Sequence, residues 1–258
     1  MKSAWLNFTK YRFLLGELVK KDIKLKYRRS YLGIFWTLLE PILTTVVLTF
    51  VFGKMRGVRD AQFPVYILTG RLLYSFYSNS TKSAMKSIRS NSAMIKKVYI
   101  PKYMYPFATV LSNYIIFLIS LIVLFGALFV FNVMPTFYIL QSIIPLFLIL
   151  ILAIGSGMIL ATLAVFFRDL EYLWSVALMI IMYTSAIFYR IKDLHLGDSI
   201  WVFKLNPLFV IIDTLRSSVF GTPINQTSLV LSIVYSLGSL LIGFLLFYKN
   251  QDKFILNI

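Results

Sequence analysis

Two apolar segments, Pro106–Phe131 and Tyr138–Phe167, follow one another in this sequence with no lysine or arginine between them. At about 1.5 Å of rise per residue, each is long enough to cross the roughly 30 Å hydrocarbon layer of a bilayer. Inside that layer every backbone N–H and C=O must find its partner within the protein, which makes such segments helices. Composition agrees: 59% of the 258 residues are hydrophobic and only 14% are charged, against roughly 25% charged in a soluble domain. The expectation is an all-α integral membrane protein.

Four more segments extend the pattern, giving six expected crossings at about residues 33–52, 63–81, 106–131, 138–167, 173–189 and 229–248. The second is the most polar, because Arg71, Ser75, Ser78 and Asn79 interrupt it, so it is expected to face other helices or a cavity rather than lipid. The fourth is long enough to tilt or to break at Gly155 and Gly157. About thirty mixed, basic residues precede the first apolar run without a small-residue cleavage site, so the first span is expected to be retained.

Lysine and arginine sort strongly by side. Eighteen fall before the first span, between Lys82 and Lys102, at Arg168, or after the last span, and seven fall on the opposite side, with Arg71 inside a span. Cytoplasmic loops carry the excess, so both termini are expected in the cytoplasm, as an even number of crossings requires. The formal charge of +16 then points to anionic lipid rather than to nucleic acid.

Two further segments look amphipathic without being long enough, or apolar enough, to cross. In residues 1–32, Trp5, Phe8, Tyr11, Leu15, Leu18, Val19 and Ile23 share one helical face while Lys10, Glu17, Lys20, Lys21 and Lys24 share the other, the pattern of a helix lying in the interface. It is expected to anchor to lipid, to pack on a partner, or both. Between the last two spans, residues 200–220 hold apolar runs broken by Asn206-Pro207, Asp213 and Arg216, read as two short interfacial or re-entrant helices on the outer face. Asn225-Gln226-Thr227 fits a glycosylation acceptor, a pattern too common to carry weight.

Several chemistries lack their residues. Cysteine is absent and His195 is the single histidine, which leaves no disulfide, thiolate metal site or thiol nucleophile. A phosphate-binding loop ends in Gly-Lys-Ser/Thr, whereas the one Gly-Lys here is Gly53-Lys54, followed by Met55. The ten acidic residues are scattered. Asp169 and Glu171 lie close together beside Arg168 in a short cytoplasmic turn, where structural pairing explains them better than catalysis. No catalytic, cofactor-binding or metal-binding residue is assigned.

The candidate functional residues are instead those of docking and passage. Residues 91–102 carry Lys96, Lys97 and Lys102 for water, Asn91 at their start, Met94, Ile95, Val98 and Tyr99 for apolar contact, and Pro101 as punctuation. This is the composition of a surface that receives another protein. Within the membrane, Glu40 beside Pro41 and Arg71 are the ionisable candidates. Glu40 admits structural, paired or pore-facing roles, and Arg71 either snorkels or meets a passing phosphate or sugar hydroxyl. Tyr66, Tyr74 and Tyr77 of the second span either stack on sugar rings in a pore or pack between helices.

The runs Tyr27–Pro41 (YRRSYLGIFWTLLEP), Lys96–Pro106 (KKVYIPKYMYP) and Phe166–Leu173 (FFRDLEYL), in this order, resemble the membrane subunits of ABC-2 type exporters, and most closely their polysaccharide, O-antigen and teichoic-acid branch. The resemblance implies the ABC-2 (type V) exporter fold: an N-terminal interface helix over residues 1–32, a transmembrane domain over 33–258, and re-entrant external helices before the last span. It implies a homodimer with the path between two copies, and two cytoplasmic subunits that bind ATP and magnesium, with no cofactor in this chain. It makes residues 91–102 a coupling helix, puts Arg168 and Asp169 near the motor, and sets the protein in a bacterial cytoplasmic membrane. Gly70-Arg71 departs from the apolar residue common after that glycine.

The expected function is therefore the permease half of an ATP-driven exporter of a lipid-linked polysaccharide. A small amphiphile, drug or lipid as cargo is the nearer alternative, and an ion-coupled carrier working alone the more distant one. The scarcity of buried carboxylates counts against a carrier.

Overall fold

The computed structural model describes residues 2–28, 30–56, 60–97, 100–191 and 201–254, and within them every regular element is helical. Ten α-helices are used below: α1 (Lys2–Tyr27), α2 (Trp36–Arg56), α3 (Phe63–Ser90), α4 (Ser92–Lys97), α5 (Met104–Val130), α6 (Ile143–Phe166), α7 (Leu170–Thr184), α8 (Trp201–Lys204), α9 (Pro207–Val219) and α10 (Gln226–Asn250). By length and composition, four helical stretches are able to cross a membrane: Gly33–Gly53, Met104–Val130, Phe137–Phe166 and Gln226–Lys253. At 28 residues, α3 is long but carries Arg71, Lys82, Lys86 and Arg89, and α7 is apolar but has 15 residues.

α6 lies at the centre, packed against α3, α5, α9 and α10. It does not break at its glycines. Gly155 and Gly157 sit in one continuous helix, and their role is close approach: a Cβ at Gly155 would lie 2.4 Å from the backbone of Ser239 and Leu240, and one at Gly243 would lie 2.4 Å from the Gly155 carbonyl. α6 and α10 therefore touch backbone to backbone, as small residues permit in membranes. The interruption falls earlier instead, where a 3-10 turn over Phe137–Ser142 leads into α6 and Pro145 sits in the first turn of α6, where its missing N–H costs no hydrogen bond.

α1 lies along α5. Leu15, Leu18 and Val19 are buried there, the Ser112 hydroxyl donates to the Val19 carbonyl at 3.4 Å, and the Thr109 hydroxyl lies 3.1 Å from the Asp22 carboxylate. Phe13 stays 78% exposed on the other side. α10 starts where the Asn225 side chain accepts from the Thr227 amide at 2.9 Å, so the Asn225-Gln226-Thr227 triplet supplies an N-cap.

The outer surface is apolar where a bilayer would cover it. Val230, Val234, Leu237, Leu241 and Leu245 form an exposed stripe on α10, and Ile42, Leu43, Val46, Val47 and Phe50 form one on α2.

Candidate functional site

The candidate residues fall into two places. One end of the molecule gathers the end of α3, helix α4, the α6–α7 turn, part of α1 and the C-terminal segment. α4 has six residues, of which Ile95 alone is buried. Ile95 joins the apolar core at 8% exposure, while Met94 is 39% exposed and Lys96 and Lys97 face out. Five side-chain contacts set this end. The Asn91 side chain donates to the Ser87 carbonyl at 2.8 Å and accepts from Lys21 of α1 at 3.0 Å. Lys86 of α3 pairs with Glu171 of α7 at 2.8 Å, and Arg89 donates to the Ala164 carbonyl of α6. Lys102 donates to the Gln251 carbonyl at 2.6 Å and Pro101 is half-buried.

Arg168 and Asp169 are exposed in the turn between α6 and α7. Asp169 stands at the N-cap position of α7 without a side-chain cap bond, so its carboxylate and the neighbouring guanidinium remain on the surface. Val98 and Tyr99 lie outside the described residues. The sequence singles out this stretch for its charge, but the ties that hold it, Lys21 to Asn91 and Lys86 to Glu171, join helices that no local pattern pairs.

The second place is a groove between the end of α1 and helices α2, α3 and α5, with a cavity volume of about 270 Å³. Glu40 and Arg71, the two ionisable candidates of the spans, both line it, together with Lys26, Trp36, Asn79, Asn113 and Ser120. Lys26 donates to Asn113 Oδ1 at 3.4 Å. Surrounding protein pushes the Lys26 amine below its ordinary pKa and the Glu40 carboxylate pulls it back up, so these two groups sense each other across the groove. Pro41 lacks the N–H that would bond the Thr37 carbonyl one turn back, and the Thr44 hydroxyl donates to the Glu40 carbonyl at 2.7 Å. The groove can offer cations, amides, hydroxyls and an indole to a polar ligand from one side.

The three tyrosines do not converge there. The Tyr66 hydroxyl donates to the carbonyls of Ala186 and Tyr189 at 3.1 and 2.9 Å. Tyr74 donates to the Leu178 carbonyl at 3.1 Å, and Tyr77 is buried with its ring 6.4 Å from that of Trp174. They bind α3 to α7 and to the segment after it.

Sequence reasoning took Arg216 as an interruption in a short interfacial or re-entrant helix on the outer face and missed its role. It is 7% exposed and donates to the Ala186 and Tyr66 carbonyls, both at 3.0 Å, with its guanidinium 3.5 Å from the Tyr66 ring centroid. The signal present in the sequence was Gly70: a Cβ there would lie 2.8 Å from Arg216 Nη2. Asn206 does parallel work. Its oxygen caps α9 through the Leu208 amide at 3.0 Å, and its Nδ2 lies within 3.1 Å of Ile181 O, Thr184 Oγ1 and Ser185 Oγ.

A bundle of apolar helices with an exposed, cationic end and a polar groove between its helices suits a membrane transport component. Comparison with known proteins makes the class specific: residues 14–220 match the ABC-2 type transporter family, and the chain belongs to it. It is similar to an O-antigen export system permease protein, RfbA, of Klebsiella pneumoniae, with 29% identity covering 93% of each chain. It is also similar to the polysialic acid transport protein KpsM of Escherichia coli, 22% identical over 96% of this chain and 98% of that one. The capsule polysaccharide export inner-membrane protein CtrC of Neisseria meningitidis serogroup A is 24% identical over 70% of this chain and 69% of its own.

Proposed function

We propose that this chain is the permease subunit of an ATP-driven exporter that moves a lipid-linked polysaccharide across the cytoplasmic membrane. The observation that carries the reading is the end built from α4 and the Arg168-Asp169 turn: it exposes Met94, Lys96 and Lys97 on a chain without a phosphate-binding loop. The cargo class follows the relatives, whose names are those of O-antigen, polysialic acid and capsule export proteins.

In this reading α2, α3, α5, α6, α7 and α10 supply six crossings with both termini in the cytoplasm, and α1 lies in the interface. Two ATP-binding subunits dock on α4 and the α6–α7 turn, and two copies of the chain enclose the path. ATP and magnesium stay with the partner subunits. α8 and α9 dip into the outer leaflet and close the path from outside. The groove holding Lys26, Glu40 and Arg71 faces the entering cargo, where a guanidinium and an ammonium suit phosphate oxygens and Trp36 suits a sugar face.

The test is co-purification of the chain with an ATP-binding partner encoded beside it, followed by ATPase assay with and without lipid-linked glycan. Glycan-stimulated hydrolysis that needs this subunit supports the reading. A chain that transports with no such partner overturns it.

A further inference from the structure

A buried cation without a buried anion is costly in any protein and more so at membrane depth. Arg216 is close to such a cation: the half-buried Asp213, one turn back on α9, favours its charge from a distance without pairing with it. Among the described residues no carboxylate lies within salt-bridge distance of it, and its Nε, shut from solvent, has no hydrogen-bond partner. What it does have is two backbone carbonyls from two different segments, Tyr66 of α3 and Ala186 after α7, and the Tyr66 ring beneath it. The same ring lies 5.5 Å from the Arg190 guanidinium, which pairs with Asp60 just before α3. Gly70 leaves the space that the guanidinium occupies. An apolar side chain would have filled the site at lower cost, so stability alone does not explain the arginine.

α3 gives the arrangement its reach. Its 28 residues run without a break, about 42 Å at helical rise, from this arginine to Lys86, Arg89 and Asn91 at the other end. Resting on the proposed function, we infer that Arg216 is a positioning residue that locks α9 to α3, so that a displacement imposed at α4 moves the outer segment as part of the same rigid body. A planar fork that reaches two carbonyls at once and stacks on a ring suits that task, and an ammonium, a single point charge, does not.

The chain has no native cysteine, so an introduced pair reports without background. Spin labels at Gln62→Cys, at the start of α3, and Thr222→Cys, just after α9, measure the α3–α9 separation in nanodiscs. The expected result is one narrow distance in the otherwise unaltered protein and a broadened one in Arg216→Met, with Arg216→Lys between them. In the complex with its ATP-binding partner, Arg216→Met should lose export by roughly tenfold, the size of a coupling residue's effect, while hydrolysis stays within about twofold. That split between hydrolysis and export is what a merely structural role would not produce. Should Arg216→Met fail to fold, Gly70→Ala, which crowds the guanidinium and leaves its charge, gives the same readouts. A narrow distance and full export in the arginine or glycine variants overturn the inference. Absence of nucleotide-driven export in the unaltered complex overturns the functional reading instead, and the label distances still decide the lock.

Discussion

α4 and α9 are both short helices at the ends of the bundle, and they are built in opposite ways. α4 buries Ile95 alone among its six residues and is held by contacts at its flanks. α9 buries ten of thirteen, is capped by Asn206, and is tied to α3 and to the segment after α7 by Arg216. One end is left open, where the proposed ATP-binding partner would grip, and the other is fixed within its own chain. Substitutions should therefore divide cleanly into those that change binding and those that change stability.

The largest stability effect is expected at Asn206→Ala. Loss of the cap costs about 1 kcal/mol, and leaving the Ser185, Thr184 and Ile181 groups without their donor adds roughly 1–3 kcal/mol. Thermal unfolding of the purified protein in detergent should shift by several degrees, at about 2–4 °C per kcal/mol for a chain of this size. An unshifted transition would break the comparison at its outer end.

Lys96→Glu with Lys97→Glu should do the reverse. Both side chains are exposed, so stability should move by no more than about 0.5 kcal/mol. Partner-stimulated ATPase should fall by about tenfold, equivalent to about 1.4 kcal/mol of docking. A large thermal shift with intact ATPase would show that α4 is a structural helix.

A smaller effect tests what holds the open end in place. Lys21→Met removes the 3.0 Å bond to Asn91, a contribution of about 0.5–1.5 kcal/mol. Hydrogen exchange at the α3–α4 junction should rise while the outer end keeps its protection. Equal loosening at both ends would mean that the two are one cooperative unit.

What could be read from the sequence follows from which forces are local. Apolar runs announce α2, α5, α6 and α10 because lipid imposes length and composition on each segment separately. The second expected span was read as ending near Thr81, where Lys82 and Lys86 follow, yet the helix continues to Ser90: the charged last turns end the apolar run without ending the helix. Gly155 suggested a break and instead marks a backbone crossing with α10, a fact held in residues some eighty positions away. Tyr66, Tyr74 and Tyr77 carry the composition of a pore lining, but their hydroxyls answer to carbonyls and side chains of distant segments. Arg216 was hidden for the same reason. Its partners are set by the third dimension, and only Gly70 hinted at them.

The weakest predicted effect lies between the two ends, where α1 rests on α5. Burial raises the Asp22 carboxyl above the ordinary aspartate value of 3.8, against the lowering effects of the Thr109 hydroxyl and of Lys21. A carboxyl whose pKa is raised on folding binds its proton more tightly in the folded state, so its contribution is present at low pH and is lost as pH rises from 3.8 through the folded value. Asp22→Asn removes that dependence. An amide can donate to Thr109, whose own hydrogen is then free for the Tyr105 carbonyl at 3.0 Å, so no group is stranded. The variant should unfold at a temperature higher by up to about 2 °C at neutral pH, with the difference shrinking as pH falls and vanishing below the ordinary aspartate value of 3.8, where the carboxyl is protonated in the folded and unfolded chain alike. A lower transition at neutral pH would mean that the charged form of Asp22 is favoured where α1 meets α5, and that the pull of Lys21 outweighs burial.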